Sequence, residues 1–233
     1  MRFDGKRYWL VGASEGLGRA LAIKLSAAGA ELVLSARAEG RLHSLADDLP
    51  GKAQVLQLDL ADEASVVQAG AALGRVDGVV FLAGVYWPMS AREWDGPSVL
   101  AMADINFIGA FRVLNQVMPQ FLERGAGHIV ITGSLSGFRG LPGAIGYGAS
   151  KAGVMALAES LYADLRRTGI KVQVANPGFI KTRLTEKNAF HMPFLMSPDE
   201  AADHMLHHMA SKRFKRSFPT LFSWLFRFSQ FWP

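Results

Sequence analysis

The sequence predicts an α/β fold, a single doubly wound domain whose mostly parallel sheet of about seven strands has helices on both faces. Apolar runs of strand length alternate with periodic segments of helix length. Runs such as 79–82 and 129–131 are apolar throughout, which is typical of parallel strands buried on both faces. The 233 residues contain no linker-like stretch, so we expect one domain over 1–233.

The pattern along the chain places each element. We predict strands at 7–12, 31–36, 53–59, 77–83, 127–133, 170–176 and 213–218. We predict helices at 16–29, 39–49, 62–73, 96–124, 146–168 and 198–210. Ligands of such folds bind outside the carboxyl ends of the strands, at the point where the strand order reverses. The sequence motifs described below all lie at such ends.

Composition excludes several classes of function. Half of the residues are hydrophobic and 19% are charged, which is not the composition of a disordered chain. The absence of cysteine excludes disulfides, thiolate catalysis and cysteine-bound metals. Four of the residues between 212 and 216 are basic, so the net charge of +5 is partly local and we expect no nucleic-acid partner. Residues 1–6 lead straight into an apolar run without a signal-peptide pattern, so we expect a cytoplasmic protein.

A glycine-rich turn follows the first predicted strand and precedes the first predicted helix. Glycines permit a tight turn and close backbone approach, and a helix N-terminus offers free N–H groups to a pyrophosphate. The position in the first strand–helix unit makes this turn a dinucleotide-binding loop. Its candidate contacts are Gly12, Ser14, Glu15, Gly16, Leu17 and Gly18.

The ends of the second and third strands bear on which dinucleotide is bound. Arg37 ends the second strand, where an acidic residue suits the ribose of NAD and an arginine suits the 2′-phosphate of NADP. Arg37 therefore favours NADP, although Glu15 adds negative charge nearby and a solvated arginine is the alternative. Asp59 and Leu60 end the third strand and are candidates for adenine contact. Asp59 is alternatively a turn residue, and Asp62 is a candidate helix N-cap.

Tyr147 and Lys151 are four residues apart in a predicted helix, so they share one face. A free tyrosine titrates too high for acid–base work near neutral pH, and a neighbouring positive charge lowers its pKa. The spacing therefore indicates a proton-transfer pair. Ser134 lies thirteen residues upstream of the tyrosine, just after the fifth strand.

Taken in order, these motifs resemble those of the short-chain dehydrogenase/reductase family of Rossmann-fold oxidoreductases, over roughly residues 7–185. Two departures are Val11, where the family usually has Thr, and Phe81-Leu82, where it usually has Asn-Asn. We expect these departures to affect hydrogen bonding near the sheet and the cofactor more than catalysis. The matching elements are Gly12, Gly16 and Gly18, Asp59, Ala83-Gly84, Asn106, Ser134, Tyr147 with Lys151, and Asn176-Pro177-Gly178.

The resemblance implies a role for each catalytic residue. Tyr147 would act as general acid or base on a substrate oxygen, and Ser134 would orient that oxygen. Lys151 would lower the pKa of the tyrosine and bind the nicotinamide ribose. Asn106 would hold a water in a proton relay. Further cofactor contacts would come from Ala83, Gly84, Asn106, Tyr147, Lys151, Pro177, Gly178, Ile180 and Thr182.

These observations predict an NADP(H)-dependent oxidoreductase that interconverts a carbonyl and a secondary alcohol, as a homodimer or homotetramer. The alternatives are a nucleotide-binding regulatory protein without turnover and an NAD-preferring enzyme of the same family. Apolar residues expected to rim the cleft favour a small hydrophobic substrate. They are Tyr86, Trp87, Pro88, Phe138, Leu141 and Phe179.

Three segments of the C-terminal third lie outside this core of motifs. Residues 185–197 form a poorly periodic candidate lid over the substrate. His204, His207 and His208 have helical spacing, and we interpret them as a solvated helix face and predict no metal site. Residues 219–233 predict an apolar, aromatic helix that packs on its own domain or on a second subunit. Peripheral contact with a membrane is the alternative.

Overall fold

Seven strands form one parallel sheet in the computed structural model, which describes residues 3–188 and 190–229. The sheet order is β3-β2-β1-β4-β5-β6-β7. β1 pairs with both β2 and β4, so the strand order reverses there, as the doubly wound pattern predicts. The strands are β1 (Arg7–Val11), β2 (Glu31–Ser35), β3 (Ala53–Val55), β4 (Gly78–Phe81), β5 (Ala126–Thr132), β6 (Gly169–Pro177) and β7 (Lys215–Phe218).

Helices pack on both faces of this sheet and create two hydrophobic cores. Val66, Val117 and Val154 belong to one core, and Leu21 and Met205 belong to the other. The strand side chains alternate between the two, because successive residues of a strand point to opposite faces. The helices are α1 (Gly16–Ala27), α2 (Glu39–Asp48), α3 (Glu63–Leu73), α4 (Gly96–Ala103), α5 (Gly109–Arg124), α6 (Ile145–Leu165), α7 (Pro198–Ala210) and α8 (Thr220–Phe228).

A π-helical turn at Asp104–Ile108 interrupts the helix predicted over 96–124 and joins α4 to α5. Within the described residues, Gly96–Arg124 is long and apolar enough to cross a membrane by length and composition alone. Its inward side chains, among them Met102, Val117 and Phe121, are fully buried in the protein. The continuous helix is therefore typical of a core helix of a doubly wound fold.

Two other boundaries differ from the predictions. β3 ends at Val55 instead of continuing to 59. The backbone N–H groups of Leu56 and Leu58 still donate to the carbonyl oxygens of Leu34 in β2 and Ala36 just after it. The predicted C-terminal helix extends over Thr220–Phe228, and its residues 230–233 lie outside the described part of the chain. Over its described residues, 185–188 and 190–197, the segment predicted as a lid is irregular apart from a short 3₁₀ turn at Thr185–Lys187; residue 189 of this prediction lies outside the described part of the chain. A bridge joins Ile180, which precedes the segment, to Met196 near its end.

The interpretation of the three α7 histidines as a solvated face is wrong for His208. This side chain is fully buried, and its Nε2 lies 3.1 Å from the carbonyl oxygen of Val174. His204 is half-buried against the Phe218 ring, with its Nδ1 3.1 Å from Arg216. Among the described residues, no group of three or more His, Asp or Glu side chains is arranged to hold a metal ion.

Candidate active site

A cavity of about 540 Å³ opens at the carboxyl ends of the central strands. It brings together the glycine loop, the strand ends and the start of α6, which are far apart in the sequence. Asn106 is fully buried and does not line it. The predicted residues that do line it are Gly12, Ser14, Glu15, Gly16, Leu17, Gly18, Arg37, Asp59, Leu60, Ala83, Gly84, Ser134, Tyr147, Lys151, Pro177, Gly178, Ile180 and Thr182.

The glycine loop has the shape that a pyrophosphate needs. Gly12 has a φ of +97°, and a Cβ atom there would lie 2.6 Å from the backbone nitrogen of Ala83. A Cβ at Gly18 would overlap the carbonyl oxygen of Gly12. α1 begins at Gly16 with no side-chain hydrogen bond capping its N-terminus, so its first N–H groups face the cavity as anion donors. The residues present therefore fit a dinucleotide.

Two arginines that sequence reasoning missed stand beside Glu15. The carboxylate Oε2 of Glu15 lies 2.6 Å from Nη1 of Arg41 and 2.5 Å from Nη2 of Arg183. Both arginines line the cavity together with the exposed Arg37. The negative charge that Glu15 adds to the loop is thus balanced by cations from α2 and from the segment after β6. Arg41 follows Arg37 by four residues, a signal that was available in the sequence.

The end of the third strand carries both structural and cavity-lining groups. Asp59 Oδ1 accepts a hydrogen bond of 3.0 Å from the backbone of Ala61, as expected of a turn residue, while Asp59 also lines the cavity. Asp62 is the N-cap of α3 and accepts from the backbone of Ala64 at 3.0 Å. Asp59 is therefore a turn residue that also lines the cavity, and Asp62 is a helix N-cap; adenine contact by Asp59 stays a prediction.

Ser134, Tyr147 and Lys151 meet at the floor of the cavity. Ser134 follows β5 and hydrogen-bonds to the phenol of Tyr147, while its Oγ accepts from the backbone of Ser136 at 3.1 Å. One turn of α6 separates Tyr147 from Lys151, whose Nζ lies 5.8 Å from the phenol ring centroid. The same Nζ donates to the carbonyl oxygen of Thr132 at 3.0 Å. A hydroxyl, a phenol and an ammonium thus border one space.

Burial controls the protonation of this group. Burial raises the pKa of Tyr147 to about 12, and the hydrogen bond from Ser134 opposes that rise only in part. Burial also lowers the pKa of Lys151 to about 8. The net shift of the tyrosine pKa is therefore opposite to the direction that the Tyr–Lys spacing predicts. The reason is that desolvation of the phenolate outweighs the hydrogen bond from Ser134.

Asn106 lies in the π-turn and holds two parts of the site in place. Its Oδ1 accepts from the backbone nitrogen of Val85 at 2.7 Å, and its Nδ2 donates to the Val85 carbonyl at 2.9 Å. The same Nδ2 donates to Ser150 Oγ at 3.0 Å. The amide therefore ties the chain after β4 to α6, next to Lys151. π-turns are frequent at functional sites because the extra residue redirects a side chain.

The predicted apolar rim divides into three groups. The ring of Tyr86 lies 5.0 Å from that of Tyr147, edge to face, and Trp87 and Leu141 belong to the same apolar cluster. Phe138 instead packs against the central hydrophobic core, and Pro88 is exposed. Phe179 packs on Phe190 and Phe222. Leu184 joins the Tyr86 cluster and lines the cavity, although sequence reasoning missed it.

Comparison with known sequences gives the same assignment over most of the chain. The family model described as short chain dehydrogenase matches residues 6–192. An uncharacterized oxidoreductase of Myxococcus xanthus (strain DK1622) is 38% identical over 203 residues, 84% of this chain and 80% of that protein. The 3-oxoacyl-[acyl-carrier-protein] reductase FabG of Escherichia coli (strain K12) is 33% identical over 194 residues, 79% of this chain and 78% of that protein.

Comparison of structures extends the likeness beyond the matched segment. A short-chain dehydrogenase from Sphingobium yanoikuyae, solved in complex with NADPH, is 28% identical with a TM-score of 0.86. The alignment covers 92% of this chain and 88% of that one. Glycine loop, serine, tyrosine and lysine thus converge on one cavity within a matching fold. The chain belongs to the short-chain dehydrogenase family and is an NAD(P)-dependent oxidoreductase acting on CH–OH and C=O groups.

Proposed function

We propose that the protein is an NADP(H)-dependent oxidoreductase that interconverts a carbonyl and a secondary alcohol on a small hydrophobic substrate, with Tyr147 as general acid and base. The observation that carries this proposal is the hydrogen bond between Ser134 and Tyr147, with Lys151 one turn away, at the floor of the cavity beneath the glycine loop. A bound nicotinamide would supply or accept the hydride.

The protein residues would manage the proton and the position of the substrate. In the direction of reduction, the phenol of Tyr147 donates its proton to the oxygen of the carbonyl, and Ser134 holds that oxygen by a hydrogen bond. A pKa of about 12 keeps the phenol protonated at neutral pH, which suits an acid. Lys151 would stabilise the phenolate left behind and would hold the ribose of a bound cofactor. Asn106 acts as a positioning residue through Val85 and Ser150.

Three cavity-lining arginines support NADP over NAD. Arg37 is exposed at the end of β2, and Arg41 lies one helical turn further on. Their guanidinium groups suit a 2′-phosphate, because charge-assisted hydrogen bonds to phosphate are strong. NAD preference is the second candidate within the family, and the observation in its favour is the carboxylate of Glu15 beside these arginines.

The apolar groups beside Tyr147 support a hydrophobic carbonyl substrate. Tyr86, Trp87, Leu141 and Leu184 cluster on the substrate side of the phenol, where few polar groups are available to a substrate. The name of the Escherichia coli relative makes 3-oxoacyl thioesters one class to include among candidate substrates. Residues 185–197 would close over the bound substrate as a lid, with the bridge between Ile180 and Met196 as its base.

Exposed apolar side chains on the α4–α5 helix support a homodimer or homotetramer. Leu100 is 70% exposed and Leu122 is 57% exposed, and Ile108 and Phe111 are 40% exposed. Such residues on one long helix favour burial against a second copy. Light scattering coupled to size exclusion would measure the mass of the assembly. A monomer at micromolar concentration would contradict this part of the proposal.

A panel of carbonyls and alcohols, followed by NADPH and NADH absorbance, tests the function directly. It should contain aromatic ketones, aliphatic ketones and 3-oxoacyl thioesters, with Tyr147→Phe as the inactive control. Turnover by the parent that the variant lacks would support the proposal. Tight NADPH binding with no turnover across the panel would favour the alternative, a nucleotide-binding regulatory protein.

A further inference from the structure

α8 presents an apolar face to solvent. Leu221 is 71% exposed, and Trp224, Leu225 and Phe228 are 52%, 51% and 55% exposed. Their spacing puts all four on one side of the helix, while Phe222 on the other side is buried. We name Leu221, Trp224, Leu225 and Phe228 the α8 face. Ser223, which follows Phe222, is buried as well.

Two phenylalanines of the lid segment extend the exposed apolar surface. Phe190 is 55% exposed and Phe194 is 56% exposed. The ring centroid of Phe194 lies 5.3 Å from that of Phe222, beneath the α8 face. Phe179 connects Phe190 to the same ring, at 5.8 and 5.9 Å. The lid and α8 therefore form one continuous aromatic surface, and a surface of this kind marks an interaction site.

The charge of this part of the chain has one sign. Residues 204–233 contain no Asp or Glu. Arg227 is exposed on α8 itself, whereas Lys212 and Arg213 precede β7 and so lie toward the end of that strand opposite α8. The basic cluster that the sequence places just before the helix is thus not beside the α8 face. The basic residues of 204–233 are Lys212, Arg213, Lys215, Arg216 and Arg227.

We propose that the α8 face, with Phe190 and Phe194, docks on an anionic lipid surface. A helix that has an exposed apolar face, an exposed tryptophan and an arginine on its flank suits the plane of the bilayer surface. The nine residues of α8 span about 14 Å at 1.5 Å per residue, less than the ~30 Å hydrocarbon core. α8 therefore lies on the membrane and does not cross it.

A second copy of the chain fits the surface less well than lipid. A twofold contact puts the same patch of each subunit against itself, so the two Arg227 side chains would approach each other. The segment 204–233 has no acidic side chain to neutralise them. Anionic headgroups supply that negative charge, and acyl chains cover Trp224 and Leu225.

Docking in this way would place the substrate side of the cavity near the membrane. Phe222 lies against Gly178, where an added Cβ would come 3.3 Å from the ring, and Gly178 lines the cavity. A carbonyl compound dissolved in lipid would then reach Tyr147 without crossing bulk water. This consequence rests on the proposed function, whereas the docking itself does not.

Co-sedimentation of the full chain with vesicles tests the docking. We expect binding to vesicles of phosphatidylcholine with phosphatidylglycerol that exceeds binding to phosphatidylcholine alone. The triple variant Leu221→Ser, Trp224→Ser, Leu225→Ser should lower the partition coefficient about tenfold or more. Arg227→Gln should lower binding about fivefold, only with the anionic vesicles. Val67→Ser on α3 removes an apolar side chain of similar exposure (50%) and should bind like the parent.

Circular dichroism and NADPH binding of the triple variant would confirm that it folds. The proposal is overturned if the parent binds neither vesicle, or if the folded triple variant binds as well as the parent. An oligomer that the triple variant dissociates, with no vesicle binding by the parent, would instead assign the α8 face to contact between copies. NADPH binding is read separately, so failure of the catalytic proposal leaves this test unaffected.

Discussion

The Nζ atom of Lys151 donates a 3.0 Å hydrogen bond to the carbonyl oxygen of Thr132, the last residue of β5. This bond joins α6 to the strand that precedes Ser134, so it fixes the ammonium of the site relative to the chain that carries the hydroxyl. It also holds a charged group in a buried position, because Lys151 is only 3% exposed. The site therefore carries a cost in stability that depends on pH.

Lys151→Met should change the pH dependence of folding. The pKa of Lys151 falls from 10.5 unfolded to about 8 folded. Between these values the unfolded chain binds a proton that the folded chain lacks, so the stability of the parent rises with pH by up to about 3 kcal/mol. The variant should lack this rise. Urea unfolding of both proteins at pH 7 and pH 10 measures it, and parallel behaviour would contradict the prediction.

Tyr147→Phe should lower kcat about 10²–10⁴-fold, because it removes the proton donor of the reaction. NADPH affinity should change less than about threefold, since the phenyl ring keeps the packing against Tyr86. Stopped-flow turnover and a fluorescence titration separate the two effects. Activity within tenfold of the parent would refute the assignment. Ser134→Ala is the companion variant, and it should raise the pKa of Tyr147 further by removing the hydrogen bond that lowers it.

Arg37→Ala and Arg41→Ala should each weaken NADPH binding about tenfold and leave NADH binding nearly unchanged. The reason is that only NADPH offers a 2′-phosphate to these exposed guanidinium groups. Glu15→Gln should strengthen NADPH binding, because it frees Arg41 from its ion pair. Calorimetric titration with both cofactors supplies the Kd values. Equal losses of affinity for NADPH and NADH would indicate that the substitutions disturb the structure of the site and not a contact with the 2′-phosphate.

Gly18→Ala should abolish dinucleotide binding and destabilise the protein, because the added Cβ would overlap the backbone oxygen of Gly12. Gly40→Ala is the matched control. Nothing lies within 4 Å of a Cβ at Gly40, which is in α2. The free energy of unfolding of that variant should therefore rise by about 0.5 kcal/mol. Thermal unfolding with and without NADPH compares the two. Stabilisation of Gly18→Ala by NADPH to the extent seen in the parent would count against the loop assignment.

His128 should make the protein sensitive to acid. It is buried between the hydroxyl of Tyr8 and the amide of Gln173, at 2.8 Å from each, and burial lowers its pKa from 6.5 to about 3. The unfolded chain binds a proton between these values that the folded chain excludes, so stability falls as the pH falls from 6.5 to 3. In His128→Gln, unfolding should take up one proton fewer, so stability should fall less steeply with falling pH. Urea unfolding across that pH range measures the difference. If the free energy of unfolding has the same dependence on pH in the variant, the acid sensitivity comes from groups other than His128.

Local patterns were enough to predict the fold and most of the cavity. Strand–helix alternation identified all seven strands, and the turns after β1, β4, β5 and β6 carry cavity residues because parallel strands end at one edge. Spacing alone joined Tyr147 to Lys151. These features depend on neighbours within a few residues along the chain, which a sequence displays directly.

The remaining features depend on contacts between distant segments. The pairing of Glu15 with Arg183 crosses the cavity, and no local pattern signals it. The raised pKa of Tyr147 follows from burial, which the spacing of charges does not report. The burial of Ser223 and the exposure of Trp224 reflect how α8 packs through Phe222 on Phe179 and Phe194, which the sequence of the helix does not signal.

The π-turn at Asp104–Ile108 is what one residue inserted into a regular helix produces. Deleting a residue there would restore α-helical geometry within the turn and would leave α4 and α5 in their places. Val117 and Phe121 of α5 would stay in the core, whereas the side chains of the turn would change direction and Asn106 would turn away from Val85. The additional residue in this turn thus serves the position of Asn106, and the packing of α5 does not need it.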